Sequence, residues 1–309
     1  MNIYKNFFSK IGFNYLILGV LAIIFQIIIL NILNLTHPEY LTNINITSII
    51  TSICNYILPF PIFYWLMKKI KTEKIKKTKI TKKTFIIYIA ITLTLMWIGN
   101  MAGIIITTIL SNTLQSQIAN PVQQLINSAD IWFNIIIISI MAPIFEEILF
   151  RKILIDRTIK YGAKVSIILS ATIFALFHGN LNQFFYALLM GGFFAYIYIK
   201  TGKITYTITL HLIVNIMGSV VSLIVANSIN NLQTAITTPD IIIILTYIII
   251  LAISFTIGII YLLKYKQAKF NGEKTQIPLK KPYKSMFINY GMICFIAFYI
   301  FEILYQILG

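Results

Sequence analysis

All 25 lysines and arginines of this 309-residue chain fall in alternate segments between long apolar runs. The runs lie at about 13–33, 48–67, 84–111, 131–152, 165–180, 183–200, 204–226, 240–263 and 286–308. Most approach the ~20 residues that a helix needs to cross a bilayer. Segments 1–12, 68–83, 151–164, 200–203 and 264–285 carry 2, 9, 5, 2 and 7 of the basic residues, whereas 34–47, 112–130, 181–182 and 227–239 carry none. The pattern predicts an all-α, polytopic transmembrane helical bundle of about nine spans (eight to nine). The positive-inside rule then places the N-terminus in the cytoplasm and, after an odd number of crossings, the C-terminus outside. The fifth and sixth runs are parted only by Gly179, Asn180, Leu181 and Asn182, a spacing that also fits a tight hairpin in place of two full crossings.

Composition excludes the soluble classes. Hydrophobic residues make up 58% and charged residues 11%, against roughly 25% charged in soluble domains. A net charge of +16 would point to nucleic acid in a soluble protein. Here it is spread over loops between spans with no zinc-finger or RNA-binding signature, so no nucleic-acid partner is expected. It reads as a topology signal, with affinity for anionic membrane lipids as a second role. The juxtamembrane runs Lys68 to Lys83 and Lys264 to Lys284 are polybasic. Cys54 and Cys294 lie in apolar runs and make no disulfide framework. The first run lacks a small-residue cleavage site and reads as a retained signal anchor. No internal repeat marks a transporter of paired halves, and Gly99 with Gly103 reads as ordinary helix packing. The chain divides into an N-terminal membrane region 1–129 of three spans, a core 130–226, and C-terminal spans 227–309. Multi-pass insertion in the plasma membrane is expected.

A charge at the centre of a membrane helix costs roughly 2.5–3.5 kcal/mol or more, so each one needs a reason. Glu146 and Glu147 are adjacent in the fourth run, Glu302 is in the last, and His178 and His211 fall in or at the ends of runs. His37, beside Pro38 in an outer loop, reads as inert. Glu147 and Arg151 are four apart and share a helix face, which holds Glu147 ionised. Glu146 is rotated by about 100° and has no basic residue three or four positions away, which suits general-base work. Pro143 removes a helical hydrogen bond just upstream and opens space beside the carboxylates. Phe174, one turn before His178, walls its imidazole. His211 and Asn215, four apart, present an imidazole and a carboxamide that can stabilise an oxyanion or only bond between helices. Glu and His can activate water directly, or Glu146, His178 and His211 can hold zinc with one position left for water. The HExxH and GxSxG signatures are absent.

These residues resemble the CAAX prenyl protease type 2 and bacteriocin-processing family, also called the Abi family. Its EExxxR, FxxxH and HxxxN or HxxxD patterns stand here, in order, as Glu146-Glu147-xxx-Arg151, Phe174-xxx-His178 and His211-xxx-Asn215, with Thr201-Gly202 before the last. The resemblance covers roughly 130–226. It implies an intramembrane endopeptidase in which Glu146 and His178 activate water, His211 and Asn215 stabilise the oxyanion, and Glu147, Arg151 and Phe174 support them. That mechanism needs no metal; zinc on Glu146, His178 and His211 is the other version. The Ile-, Lys- and Asn-rich composition points to an AT-rich prokaryotic genome, and bacteria generally lack prenylated substrates. Processing of a peptide or membrane-protein substrate near the cytoplasmic face, or self-immunity to a bacteriocin, is therefore expected. The rival readings are a non-enzymatic immunity or regulatory membrane protein and a proton-coupled transporter. One conflict stands: with spans at these boundaries, Glu146 lies near the cytoplasmic end, whereas His178 lies about 20 Å deep at 1.5 Å per residue.

Overall fold

The computed structural model describes residues 3–233, 237–265 and 276–308. Among the described residues nine principal helices follow one another: α1 (Ile3–Thr36), α2 (Ile44–Met67, interrupted before Phe60), α3 (Lys82–Leu114), α4 (Ile131–Tyr161), α5 (Ala163–Phe177), α6 (Leu181–Thr201), α7 (Ile204–Asn231), α8 (Thr238–Tyr265) and α9 (Tyr290–Leu308). No strand occurs among the described residues. Eight of these helices are long and apolar enough to cross a membrane. The exception is α5, whose 15 residues fall short of the ~20 required. It turns into α6 through His178, Gly179 and Asn180, the tight hairpin that the four-residue spacing allowed. The chain is a multi-pass helical membrane protein.

Hydrogen bonds identify the two ends of the bundle. At one, the Glu73 amide donates to the Asp156 carbonyl (2.6 Å), Thr78 to Thr201 (2.8 Å) and Ile277 to Lys160 (3.0 Å), so the lysine-rich segments meet. At the other, Asn45 Nδ2 donates to Asp130 (2.6 Å) and Gln306 Nε2 to the Ala119 carbonyl (2.6 Å), which joins the lysine-free loops. Segment 68–83 is more than a solvated tether, because its middle lies across the ends of α4, α6 and α7. Gly202 permits this: its φ of +59° is left-handed, and a Cβ there would sit 2.6 Å from the Lys76 carbonyl oxygen. Of the second polybasic run, residues 266–275 lie outside the described residues.

The fourth span differs from the expected 131–152. It stays helical to Tyr161, and the predicted loop 151–164 shrinks to a turn at Gly162. Two of the charges read as loop residues are interior. Arg151 is fully buried, and Arg157 spends its Nε and Nη1 protons on the carbonyls of Met67 and Ile153 (2.8 Å each). The longer helix removes the depth conflict. Glu146 lies fifteen residues before Tyr161 and His178 fifteen after Ala163, so an antiparallel pair brings both to the same height, about 22 Å from the turn.

Two aromatic cores hold the helices. Phe8, Tyr15, Phe150, Phe174 and Phe295 fill the space between α1, α4, α5 and α9, while Tyr88, Met96, Phe194 and Leu210 join α3, α6 and α7. Gly99 and Gly103 let the start of α6 approach α3 at Tyr186 and Asn182, so this small-residue pair serves packing within the chain. The outward faces of α1, α3 and α8 expose Ile27, Ile104 and Ile253, as suits contact with lipid chains.

Candidate active site

The site is built where helices lose their regular ladder. π-Helical turns occupy 53–57 in α2, 134–141 and 148–153 in α4, and 216–221 in α7. Such turns free carbonyls that hydrocarbon cannot satisfy, and side chains take them up. In 134–141 the Ala142 amide bonds to Ile137. The next bond of that series would come from residue 143, which is proline and has no N–H. Asn215 Nδ2 donates to the stranded Ile138 carbonyl instead (2.8 Å). Ser139 and Ser219 then join the two irregular turns through their hydroxyls (2.9 Å). Around 148–153, the Tyr15 hydroxyl donates to the Leu149 carbonyl (2.6 Å) and Ser170 to Phe150 (2.8 Å). Pro143 and Asn215, 72 residues apart, are therefore parts of one device.

Glu147 and Arg151 form the interior pair that their spacing predicts, with Nε to Oε2 at 3.2 Å and both side chains fully buried. The geometry is that of an ion pair without a well-directed hydrogen bond. The guanidinium lies 4.3 Å from the Phe174 ring and 5.7 Å from Phe194, a cation–π setting. The other Glu147 oxygen accepts from His211 Nδ1 (3.0 Å). A carboxylate only accepts, so Nδ1 carries the proton and the imidazole is oriented from behind. Phe174 does more than wall His178: its ring meets the imidazoles of both His178 (4.7 Å) and His211 (5.8 Å) edge to face.

Glu146 faces the opposite side. The sequence offers it no basic partner on its own helix; the structure supplies partners from elsewhere. Tyr56 donates its hydroxyl to Oε1 (2.7 Å), and His211 Nε2 stands 3.6 Å from Oε2. His178 Nδ1 bonds to the Phe174 carbonyl (2.7 Å). A carbonyl cannot donate, so the proton is on Nδ1, and in the neutral ring Nε2 keeps its lone pair. Asn215 retains a second N–H after bonding Ile138.

Glu146, His178, His211 and Asn215 all line one cavity of about 620 Å3. Glu147, Arg151 and Phe174 stand behind its wall. The cavity runs from Glu146 and Phe150 in mid-span to Ile44, Thr47, Val122 and Leu125 at the lysine-free end. None of its lining comes from the lysine-rich segments. The expected position near the lysine-rich face therefore changes, for the reason given above: α4 continues well past Arg151. Sequence reasoning missed Tyr56, Gln183 and Tyr186, which also line it. Their only signal was polarity inside or beside apolar runs, with no motif to connect them. Glu302, conspicuous in the sequence but given no role, lines it too.

The zinc version asks for Glu146, His178 and His211 around one point. Among the described residues no three His, Cys, Asp or Glu side chains gather as such a set. In both histidines Nδ1 is engaged, with the Phe174 carbonyl or with Glu147, which leaves Nε2 as the nitrogen open to a ligand.

Residues 128–217 match the family model of the type II CAAX prenyl endopeptidase, Rce1-like. That segment contains all three motifs, so the family likeness read from them is shown there. Over 85 residues the chain is 38% identical to YdiL of Bacillus subtilis (strain 168), a candidate membrane peptidase. The match covers 26% of this chain and 34% of that protein, about a third of the relative's length. No solved structure matches the chain. Tyr56 and Glu302 lie outside the matched segment.

Proposed function

We propose that this protein is an intramembrane endopeptidase that hydrolyses a peptide bond with water activated by Glu146 and His178. The observation that supports this most is the shared cavity, which Glu146, His178, His211 and Asn215 all line. Glu146 takes a proton from water while the lone pair on His178 Nε2 orients it. The water oxygen bonds to the substrate carbonyl carbon. Asn215 and, when protonated on Nε2, His211 donate to the resulting oxyanion. The C–N bond then breaks, and the proton held by Glu146 passes to the leaving amine. Glu147, anchored by Arg151, keeps His211 in register, as the third member of such relays does. Tyr56 holds Glu146.

The substrate in this reading is a peptide precursor or a membrane protein in the plasma membrane, cut for peptide maturation or self-immunity. It enters from the lysine-free face, which the positive-inside rule makes extracytoplasmic. Separate Glu146→Gln and His178→Ala variants should each lose at least about a hundredfold in cleavage, within the range general-base groups supply. The measurement is mass spectrometry of membranes with and without the protein. A phenotype that survives both substitutions would leave a non-enzymatic role, and one that requires a proton gradient but yields no cut product would indicate transport. Cleavage by purified protein that chelators abolish would restore the zinc version.

A further inference from the structure

Glu302 is the acidic residue that the chemistry above leaves unused. It lies on α9, in the last span, and faces the same cavity as the four catalytic candidates. A Cβ built on Gly179, the residue after His178, would stand 3.8 Å from the Glu302 Cβ. The carboxylate thus borders the turn that carries the proposed water-activating imidazole. It has no ion pair or hydrogen bond among the described residues.

The charge balance of the cavity makes this position informative. Among the described residues its lining includes two carboxylates, Glu146 and Glu302, and no lysine or arginine. Arg151 is buried behind the wall and committed to Glu147. A carboxylate in a membrane span without a cation of its own is costly, and such residues mark ligand paths. Glu146 has Tyr56 and His211 as partners; among the described residues Glu302 has neither an ion pair nor a hydrogen bond. A low-dielectric wall strengthens the attraction for an incoming cation, and the mouth on the lysine-free face brings no basic residue of the protein to compete.

We propose that Glu302 is a specificity-determining residue that selects substrates with a lysine or arginine close to the scissile bond. This rests on the endopeptidase reading for its consequence, since the selected peptide is the one cut. The selection itself is a binding property and can be measured without turnover.

The test uses the full chain in nanodiscs carrying Glu146→Gln, so that no peptide is consumed. Two fluorescent apolar decapeptides serve as probes, one with a central lysine and one with norleucine in its place. The lysine peptide should bind about fivefold tighter, the order of an ion pair in a half-solvated cavity. Adding Glu302→Gln should remove the preference, and Glu302→Lys should reverse it, with the norleucine peptide bound equally by all three. Equal affinities of the two probes, or a preference unchanged by Glu302→Gln, overturn the proposal. In parallel, protein with Glu146 intact is given a proteome-derived peptide library. Cut sites should be enriched for lysine or arginine, and the Glu302→Gln variant should lose that enrichment. Intact binding preference with no cleavage above the Glu146→Gln background would overturn the endopeptidase reading and leave Glu302 as a cation-selecting residue.

Discussion

At the residue scale the site rests on one interior ion pair. Glu147 and Arg151 are both removed from water, and breaking such a pair is worse than replacing it, because the survivor stays buried as an uncompensated charge. Glu147→Gln should therefore destabilise the protein by on the order of 3 kcal/mol, seen as a lower Tm in detergent. The double variant with Arg151→Met should recover most of that loss, because no charge is then left unpaired. Activity should not return with stability: His211 would have lost the carboxylate that fixes its Nδ1–H. A double variant as unstable as the single one would show that the pair is not the source of the effect. This pairing was legible in sequence because both partners share one helix and the four-residue spacing puts them on one face. The Tyr56 bond to Glu146 was not legible. It joins residues 90 apart, and nothing local to Asn55-Tyr56 says which helix it will meet.

At the element scale, helix irregularities do the positioning. Pro143 strands a carbonyl, Asn215 answers it, and two serines lock the irregular turns together. Pro143 was readable as a break in the ladder, but its partner was not, since the choice of donor depends on how α7 packs on α4. Span ends were the least readable feature. Arg151 and Arg157 look like the start of a cytoplasmic loop, and burial reassigns both to the helix interior, with Arg157 satisfied by carbonyls of α2 and α4. The docked segment 73–80 was also hidden, because a run of lysines reads as solvated whether or not its backbone is paired. Gly202→Ala should release this segment, as the new methyl group meets the Lys76 carbonyl and the left-handed φ costs about 1 kcal/mol. Trypsin should then cut at Lys74, Lys76 or Lys77 several-fold faster than in the parent protein. Gly218→Ala, which meets nothing within 4 Å, is the matched control and should leave the rate unchanged. Equal digestion of the two variants would mean that the segment is held elsewhere.

At the scale of the whole molecule, charge and cavity make one statement about direction. The lysine-rich segments converge at one end, and the mid-span cavity leads to the other. In the proposed reading the positive-inside rule makes the first end cytoplasmic, and a substrate would then reach Glu146 from the extracytoplasmic side. Single cysteines test this in a background with Cys54→Ala and Cys294→Ala. Ser116→Cys, exposed in the lysine-free loop, should react in intact cells with a membrane-impermeant maleimide. Lys74→Cys should react only after the cells are opened. Thr47→Cys, at the cavity mouth, should also label in intact cells and, once labelled, should slow cleavage by blocking entry. Labelling of Lys74→Cys in intact cells would invert the molecule and move hydrolysis to cytoplasmic access. The cavity would be unchanged, because its depth follows from α4 and α5 meeting at Gly162 with Glu146 and His178 equally far from that turn.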